Sequence, residues 1–384
     1  MVTSHKLILC STHFEGNGAG IAASRWIKAL KIENCLKKRT RPNLIGHAIQ
    51  RSIEKLLWNQ KLINSYGPAS MSLFGSQKLN QDKNTVFFIH WVQGGFLSIW
   101  QLFKSRKKSI FYLHDQWMCL PLGHYKASNL MVKYVVYPLN AMLYLLKKQI
   151  MKDAKGLIVP SIWLRDQLLR IDPHARVSVI PNPIPTEYFQ SYDKCELKLK
   201  YDIAADCKVV IFSTTGGREN IRKGNHLFES FLAEMNHRYG DDNFKILVIG
   251  TTYKLSAFNK NVEYFPFTKN ESMIAEIIAM ADVCISLSQN DNFPQFTSQS
   301  QCLGVRVVSF DVGGCKETIV DIGTSGFIVK NGHISKMVDK TIFCFDSETR
   351  YSKSQKETIQ KLAFDSWSEE SIAKKFQQII GSDL

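Results

Sequence analysis

Short apolar runs punctuate the first half of the chain at Leu7–Cys10, Val86–Ile89, Ile110–Leu113, Leu157–Val159 and Val177–Ile180. Each closes on a polar or turn residue, as strands buried on both faces of a parallel sheet do. Stretches with helical spacing fill the gaps, among them Ala19–Lys31 and Ile162–Arg170. The pattern lapses over Pro181–Asp206, a less ordered stretch rich in Pro, Lys and Tyr. It restarts with runs at Val209–Phe212, Ile246–Ile249, Val283–Leu287 and Val305–Phe310, so a second unit begins near residue 207. Such alternation predicts an α/β protein with two doubly wound sheets, each covered by helices on both faces. Two such units joined by a hinge make a two-lobed molecule with a cleft, the usual place for a small ligand. The tail repeats Trp367, Ile372, Phe376 and Ile380 at helical intervals and predicts an amphipathic helix over Trp367–Ile380.

Within Asn129–Lys152 a strongly apolar run, LMVKYVVYPLNAMLYLL, is followed at once by Lys147, Lys148 and Lys152. Lys133, Pro138 and Asn140 interrupt it, which argues against a membrane span. A helix kinked at Pro138 fits better, either packed in the core or lying on an acidic membrane face.

Composition adds little to this picture, and charge adds more. The 384 residues are 45% hydrophobic and 22% charged, as in a globular protein with room for two cores. The nine cysteines form no CxxC pair and sit mostly in apolar runs, so reduced, buried thiols and a cytoplasmic setting are expected. The opening MVTSHKLILCST lacks the long apolar core of a secretory signal. Residues 1–190 carry 26 Lys and Arg against 9 Asp and Glu, whereas residues 191–384 carry 23 against 25. The net charge of +15 therefore lies entirely in the first half. A basic half beside a neutral one suits an anionic partner, or is simply a solvated surface. No recognised nucleic-acid module appears, so nucleic acid is not the expected partner.

Candidate chemistry gathers at the ends of the apolar runs. The stretch Ser288–Gly304, reading SQNDNFPQFTSQSQCLG, leaves one run and enters a helix predicted to start near Phe296. A loop between a strand's carboxyl end and a helix is where open α/β sheets bind ligands, and the helix start favours an anion. Asp291 and Gln299 flank that start, eight positions apart; a carboxylate can accept from sugar hydroxyls, and an amide can serve a ribose diol. The loop Gly216–Gly224 sets Arg218, Arg222 and Lys223 among glycines, which suits a diphosphate, although a solvated basic turn has the same composition. It lacks the P-loop order. The cluster Gly16-Asn-Gly-Ala-Gly20 after the first run is either a phosphate loop or an ordinary tight turn. His90 and His114 each follow a strand; either is a hydroxyl ligand or base, with Asp115 orienting His114, or is satisfied by local backbone. No metal-ligand spacing and no Ser/His/Asp constellation stands out.

Taken together, these stretches resemble glycosyltransferase family 4, from the glycine loop near Gly18 to about Phe327. IHWVQGGFLSI at 89–99 and LHDQWMCLPLGHY at 113–125 are similar to bacterial transferases of surface and exopolysaccharide assembly. VPSIWLRDQL at 159–168 and VIPNPIPTEYF at 179–189 are similar to the segments that end the family's N-terminal domain. The resemblance implies a GT-B fold of two Rossmann-like domains facing a cleft. The expected division is an acceptor-binding domain at 1–190 and a nucleotide-sugar domain at 191–365. A terminal helix at 366–384 would pack back on the first. It implies a retaining transfer from a UDP- or GDP-sugar to a glycan acceptor, with polyprenyl-diphosphate-linked glycans among the candidates, in O-antigen, capsule or exopolysaccharide synthesis. No metal or other cofactor is expected, and a peripheral contact with the anionic inner face of the membrane is. Arg218 and Lys223 match the pair that neutralises the diphosphate. Asp291 and Gln299 fall on the two acidic positions of the family's E-x7-E motif, the first meeting the sugar and the second the ribose. His114 corresponds to the histidine near the donor sugar and Gly18 to the loop beside the phosphates. Asn292, Phe293, Pro294, Gln295 and Phe296 would line the donor, with backbone N–H groups from the stretch other than Pro294 around sugar and phosphate. Asp and Gln in place of the two glutamates are departures, and a Gln gives up the strength of a charge-assisted bond. An inactive nucleotide- or glycan-binding homologue is the alternative.

Overall fold

A computed structural model describes residues 6–14, 18–37, 78–79, 82, 84–92, 96–120, 124, 137–240, 243–256, 260–345 and 351–381. Gly16 and Asn17 of the glycine loop, and residues 129–136 of the apolar segment, lie outside the described residues.

The first sheet contains β1 (Lys6–Ser11), β2 (Cys35–Lys37), β3 (Thr85–Ile89), β4 (Ser109–Tyr112), β5 (Gly156–Val159) and β6 (Val177–Val179). All pairings are parallel, in the order β2-β1-β3-β4-β5-β6. Its helices are α1 (Gly18–Leu30), α2 (Ile99–Ser105), α3 (Tyr137–Asp153) and α4 (Ile162–Leu169). Local chemistry sets their starts. Ser98 and Gln101 form a reciprocal capping box, and the Ser161 hydroxyl accepts from the Leu164 N–H at 3.1 Å. The described part of α3 runs from Tyr137, next to residues outside the description, so the expected kink at Pro138 lies at the edge of what is described.

The second sheet contains β7 (Lys208–Ser213), β8 (Phe244–Ile249), β9 (Val262–Phe265), β10 (Val283–Ser286), β11 (Arg306–Phe310) and β12 (Gly326–Val329). It too is parallel, ordered β12-β11-β10-β7-β8-β9. The stretch Pro181–Asp206 is more regular than its composition indicates, because Asp193 caps α5 (Lys194–Lys200) by accepting from two N–H groups. Further helices are α6 (Phe228–Tyr239), α7 (Glu271–Ala279), α8 (Gln295–Cys302), α9 (Ile334–Phe345), α10 (Lys353–Trp367) and α11 (Glu369–Ile380). The predicted tail helix is α11, which starts at Glu369; Trp367 ends the preceding α10, and Ser368 between them is extended at ψ 152°.

By its contacts the chain forms two compact units: Met1–Pro183 with Ile372–Leu384, and Ile184–Ser371. Within the first unit, Ile372, Phe376 and Ile380 are buried in one cluster with Trp26, Phe88 and Tyr112. The Phe376 ring centroid lies 5.5 Å from that of Trp26 and 5.0 Å from that of Phe88. A helix from the far end of the sequence thus completes the core of the first unit. Among the described residues no helix is long and apolar enough to cross a membrane.

Truncating that contact has a defined cost. Phe376→Ala is expected to destabilise by roughly 3–5 kcal/mol, read as a lower urea midpoint at unchanged slope. Ile379→Ala, on the exposed face of the same helix, should stay within about 0.5 kcal/mol of the parent.

Candidate functional site

In the second sheet the strand order reverses between β7 and β10, which pair directly. Open parallel sheets bind ligands beyond the carboxyl ends of their strands at such a point. Two loops leave there, and the sequence ties them together. Asn225 donates to the Gly217 carbonyl at 2.7 Å and bonds the Thr214 hydroxyl. Asn220 caps the short turn Ile221–Lys223, which ends on Gly224 at φ +77°. A side chain at Gly224 would sit 1.8 Å from the Leu287 carbonyl oxygen, so the two loops touch where only glycine fits. The Gln289 N–H then donates to the Arg222 carbonyl at 2.8 Å.

This contact delivers a charge cluster. Lys223 Nζ lies 2.7 Å from Asp291 Oδ2, and an Arg222 guanidinium nitrogen lies 3.3 Å from the same oxygen. Asp291 is only 8% exposed. Burial pushes its carboxyl up, but the attraction of Lys223 and Arg222 outweighs it and holds the group below the usual carboxylate range. The Asp291 backbone is fixed as well: its carbonyl accepts from Gly314 at 3.1 Å, and Gly313 passes so close that a Cβ would lie 1.9 Å from that oxygen.

The other sequence candidates fall in different surroundings. The Arg218 guanidinium pairs with Glu229 at the surface, and it is Arg222 that stands beside Lys223 at the carboxylate. Arg222 is visible in the basic run, but only the fold shows that its neighbour is Asp291. Asn292 is buried, and the Phe293 ring packs edge-on to Trp367 at 6.0 Å, inside the core of the second unit. Pro294 precedes α8, which starts at Gln295, one residue before the predicted Phe296. Pro294 offers no side-chain cap to that helix start. Phe296 is half-buried against the core, and Gln299 is buried in the second turn of α8. What the Phe293–Phe296 stretch presents is therefore backbone and a helix start, not aromatic faces.

The first sheet reverses between β1 and β3. Gly18 opens the described part of α1 beyond β1, and among the described residues nothing lies within 4 Å of where a Cβ would stand. His90 follows β3 and His114 follows β4. The two imidazoles meet, His90 Nδ1 lying 3.1 Å from His114 Nε2. Both line a small cavity with Trp91, Asp115, Trp117 and Tyr112. Burial, and then the adjacent His114, hold His90 well below the ordinary imidazole range. Burial pulls His114 down to about 4, against an opposing effect of Asp115.

Two sequence expectations change here. Asp115 does not orient His114: one oxygen accepts from the Trp117 N–H at 2.8 Å, and the other lies 2.8 Å from His124 Nδ1. A carboxylate one residue along an extended backbone from His114 finds those donors first. Lys147 does not face a membrane either. It is buried, donating to the Trp117 and Leu120 carbonyls at 2.7 Å each. Burial draws its amine down to about 7. Lys148 and Lys152 stay exposed. Among the described residues, no three His, Cys, Asp or Glu side chains gather as metal ligands. None of the nine cysteines is in a disulfide, and six are buried.

Two parallel six-stranded sheets of this kind define a two-domain α/β protein of the GT-B class. Residues 34–188 match the profile of Glycosyltransferase Family 4, and residues 207–347 that of Glycosyl transferases group 1. The chain belongs to glycosyltransferase family 4. A curated relative, N-acetyl-alpha-D-glucosaminyl L-malate synthase of Bacillus anthracis, is 19% identical over 216 residues; the match spans 54% of this chain and 54% of that protein's length. Among solved structures, Anabaena HepE in complex with UDP-glucose superposes with a TM-score of 0.65 at 13% identity, covering 98% of this chain and 100% of that one. WaaG, a glycosyltransferase involved in lipopolysaccharide biosynthesis, gives 0.61 at 14% identity, covering 97% and 99%.

The loop contact and the histidine pair each make a prediction. Gly224→Ala combines a backbone clash with an unfavourable φ and should cost about 3 kcal/mol, measured by thermal or urea unfolding. Between about pH 6.5 and about pH 4 the unfolded chain binds a proton at His114 that the folded chain does not. Stability should therefore fall as pH drops through that window. In His114→Asn the thermal midpoint should fall less than in the parent over the same range.

Proposed function

We propose that the protein transfers a sugar, with retention of configuration, from a UDP- or GDP-sugar to a glycan acceptor in bacterial surface polysaccharide synthesis. The observation that carries this reading is the convergence of Lys223, Arg222 and the buried Asp291 at the carboxyl ends of β7 and β10, beside the start of α8. A diphosphate needs concentrated positive charge, which Lys223 and Arg222 supply, and it is favoured at a helix start, which α8 supplies beside them. The UDP-glucose complex of HepE, of the same fold, supports a nucleotide-sugar donor for this chain.

The roles follow from chemistry. Lys223 and Arg222 stabilise the charge that builds on the departing diphosphate, where a pre-set cation costs no reorganisation. Arg218 joins them by exchanging Glu229 for phosphate oxygens. Asp291 accepts from sugar hydroxyls, and it also keeps Lys223 aimed before the donor arrives. Gln299 bonds the ribose diol, and the backbone from Asn292 to Phe296 lines sugar and phosphate. Gly18 leaves room for phosphate at the start of α1, and His114 meets a hydroxyl of the substrate sugar. Transfer takes place on one face of the sugar without a fixed protein nucleophile, so positioning and charge stabilisation carry the rate. The acceptor is lipid-linked at the inner face of the membrane, held by the basic first half of the chain. No metal takes part.

Release of nucleotide from a panel of UDP- and GDP-sugars, with and without polyprenyl-diphosphate glycans, tests the reading. Lys223→Ala is expected to lower kcat/KM about 100-fold, and Arg218→Ala to lower it as well. EDTA should leave the parent rate unchanged. Unaltered transfer in both variants removes this loop from the site, and donor binding without turnover on any acceptor marks an inactive binding homologue.

A further inference from the structure

His90 is the more deeply buried member of the histidine pair, 6% exposed. Aromatic rings pack against its imidazole. It stacks on Tyr112 with centroids 5.0 Å apart and an interplanar angle of 13°, and it meets the Phe88 ring edge-on at 4.4 Å. The Tyr112 hydroxyl donates to the Ile180 carbonyl at 3.1 Å, which pins the stacking partner in turn. The His90 N–H donates to the Cys10 carbonyl at 2.9 Å, so the backbone is held across the β1–β3 reversal. The Nε2 atom is buried and has no hydrogen-bond partner among the described residues. Among the described residues, the ring's one hydrogen-bonding contact is Nδ1 with His114 Nε2, at 3.1 Å.

That contact needs one proton between two nitrogens, so exactly one of the two rings donates across it. If His114 were the donor, the His90 proton would sit on Nε2, as a buried N–H with no acceptor. Buried N–H groups without a partner are rarer in folded proteins than buried acceptors left short of one. The less costly arrangement has His90 donating from Nδ1 and its bare Nε2 lone pair left in the aromatic cluster. His114 then accepts on Nε2 and carries its own proton on Nδ1. We propose that His90 is a positioning residue: by donating to His114 Nε2 it fixes the ring of His114 and makes Nδ1–H the donor that this imidazole offers. This rests on the reading of His114 as a sugar ligand only for its effect on the rate, and not for the tautomer itself.

The tautomer is read directly from the nitrogen shifts of the protein with 15N-labelled histidine, in long-range proton–nitrogen correlation spectra without substrate. In the parent, His114 is expected as the Nδ1–H form, in His90→Leu as the Nε2–H form that free imidazole prefers, and in His90→Asn as the Nδ1–H form again, because the amide nitrogen replaces the lost donor. An Nε2–H form of His114 in the parent, or an unchanged spectrum in His90→Leu, overturns the proposal. Circular dichroism and the thermal midpoint identify any variant that fails to fold, and His90→Asn then carries the test alone. In the nucleotide-release assay, His90→Leu should lower kcat about tenfold with little change in KM, and His90→Asn should recover most of it. A tautomer that switches without any change in kcat upholds the pairing and counts against His114 as a sugar ligand.

Discussion

A carboxylate taken out of water must be matched by positive charge, and Asp291 sets that requirement for the second unit. Burial alone would drive its carboxyl toward the neutral form; Lys223 and Arg222 keep it ionised. Meeting the requirement obliges two loops from different strands to lie against each other. Gly224 against the Leu287 carbonyl and Gly313 against the Asp291 carbonyl are the places where backbone must come too close for a side chain. The pairing also holds Lys223 and Arg222 in fixed positions beside the carboxylate.

The first unit solves a related problem without charge. Its candidate residues lie under aromatic rings, where a proton on an imidazole is costly. Neutral histidines can still hold each other by hydrogen bonding, and the buried Lys147 ties the carbonyls of Trp117 and Leu120. The segment that carries Asp115 is thus held from its underside by a buried amine and from within by Trp117 and His124. Charge concentrates at one sheet reversal and neutral donors at the other.

Much of the fold was legible because buried parallel strands must be apolar on both faces. The runs at Leu7–Cys10, Val86–Ile89, Ile110–Leu113, Val209–Phe212, Ile246–Ile249 and Val305–Phe310 all lie within a residue or two of strands. The strands that left no such run, β2, β9 and β12, are all edges of their sheets. An edge strand is short and partly wetted, so Cys35–Lys37, Val262–Phe265 and Gly326–Val329 read as loop. The break at Ser368 was hidden for another reason: a helical apolar period runs through it, and only the packing of Trp367 and Phe376 in separate clusters explains two helices.

The sequence by itself singled out the loops where cations and polar groups gather, because glycines, clustered cations and a polar stretch after an apolar run are local features. It also determined the family, through the order and spacing of those stretches. Partner choice belonged to the tertiary structure. Arg218 and Arg222 are equivalent in composition, yet one pairs with Glu229 at the surface and the other with Asp291. Asp115 adjoins His114 in the chain but bonds His124, while His114 meets His90, 24 positions away. Hydrogen bonds and ion pairs act over about 3 Å, and across that distance only the packed chain decides which groups face each other.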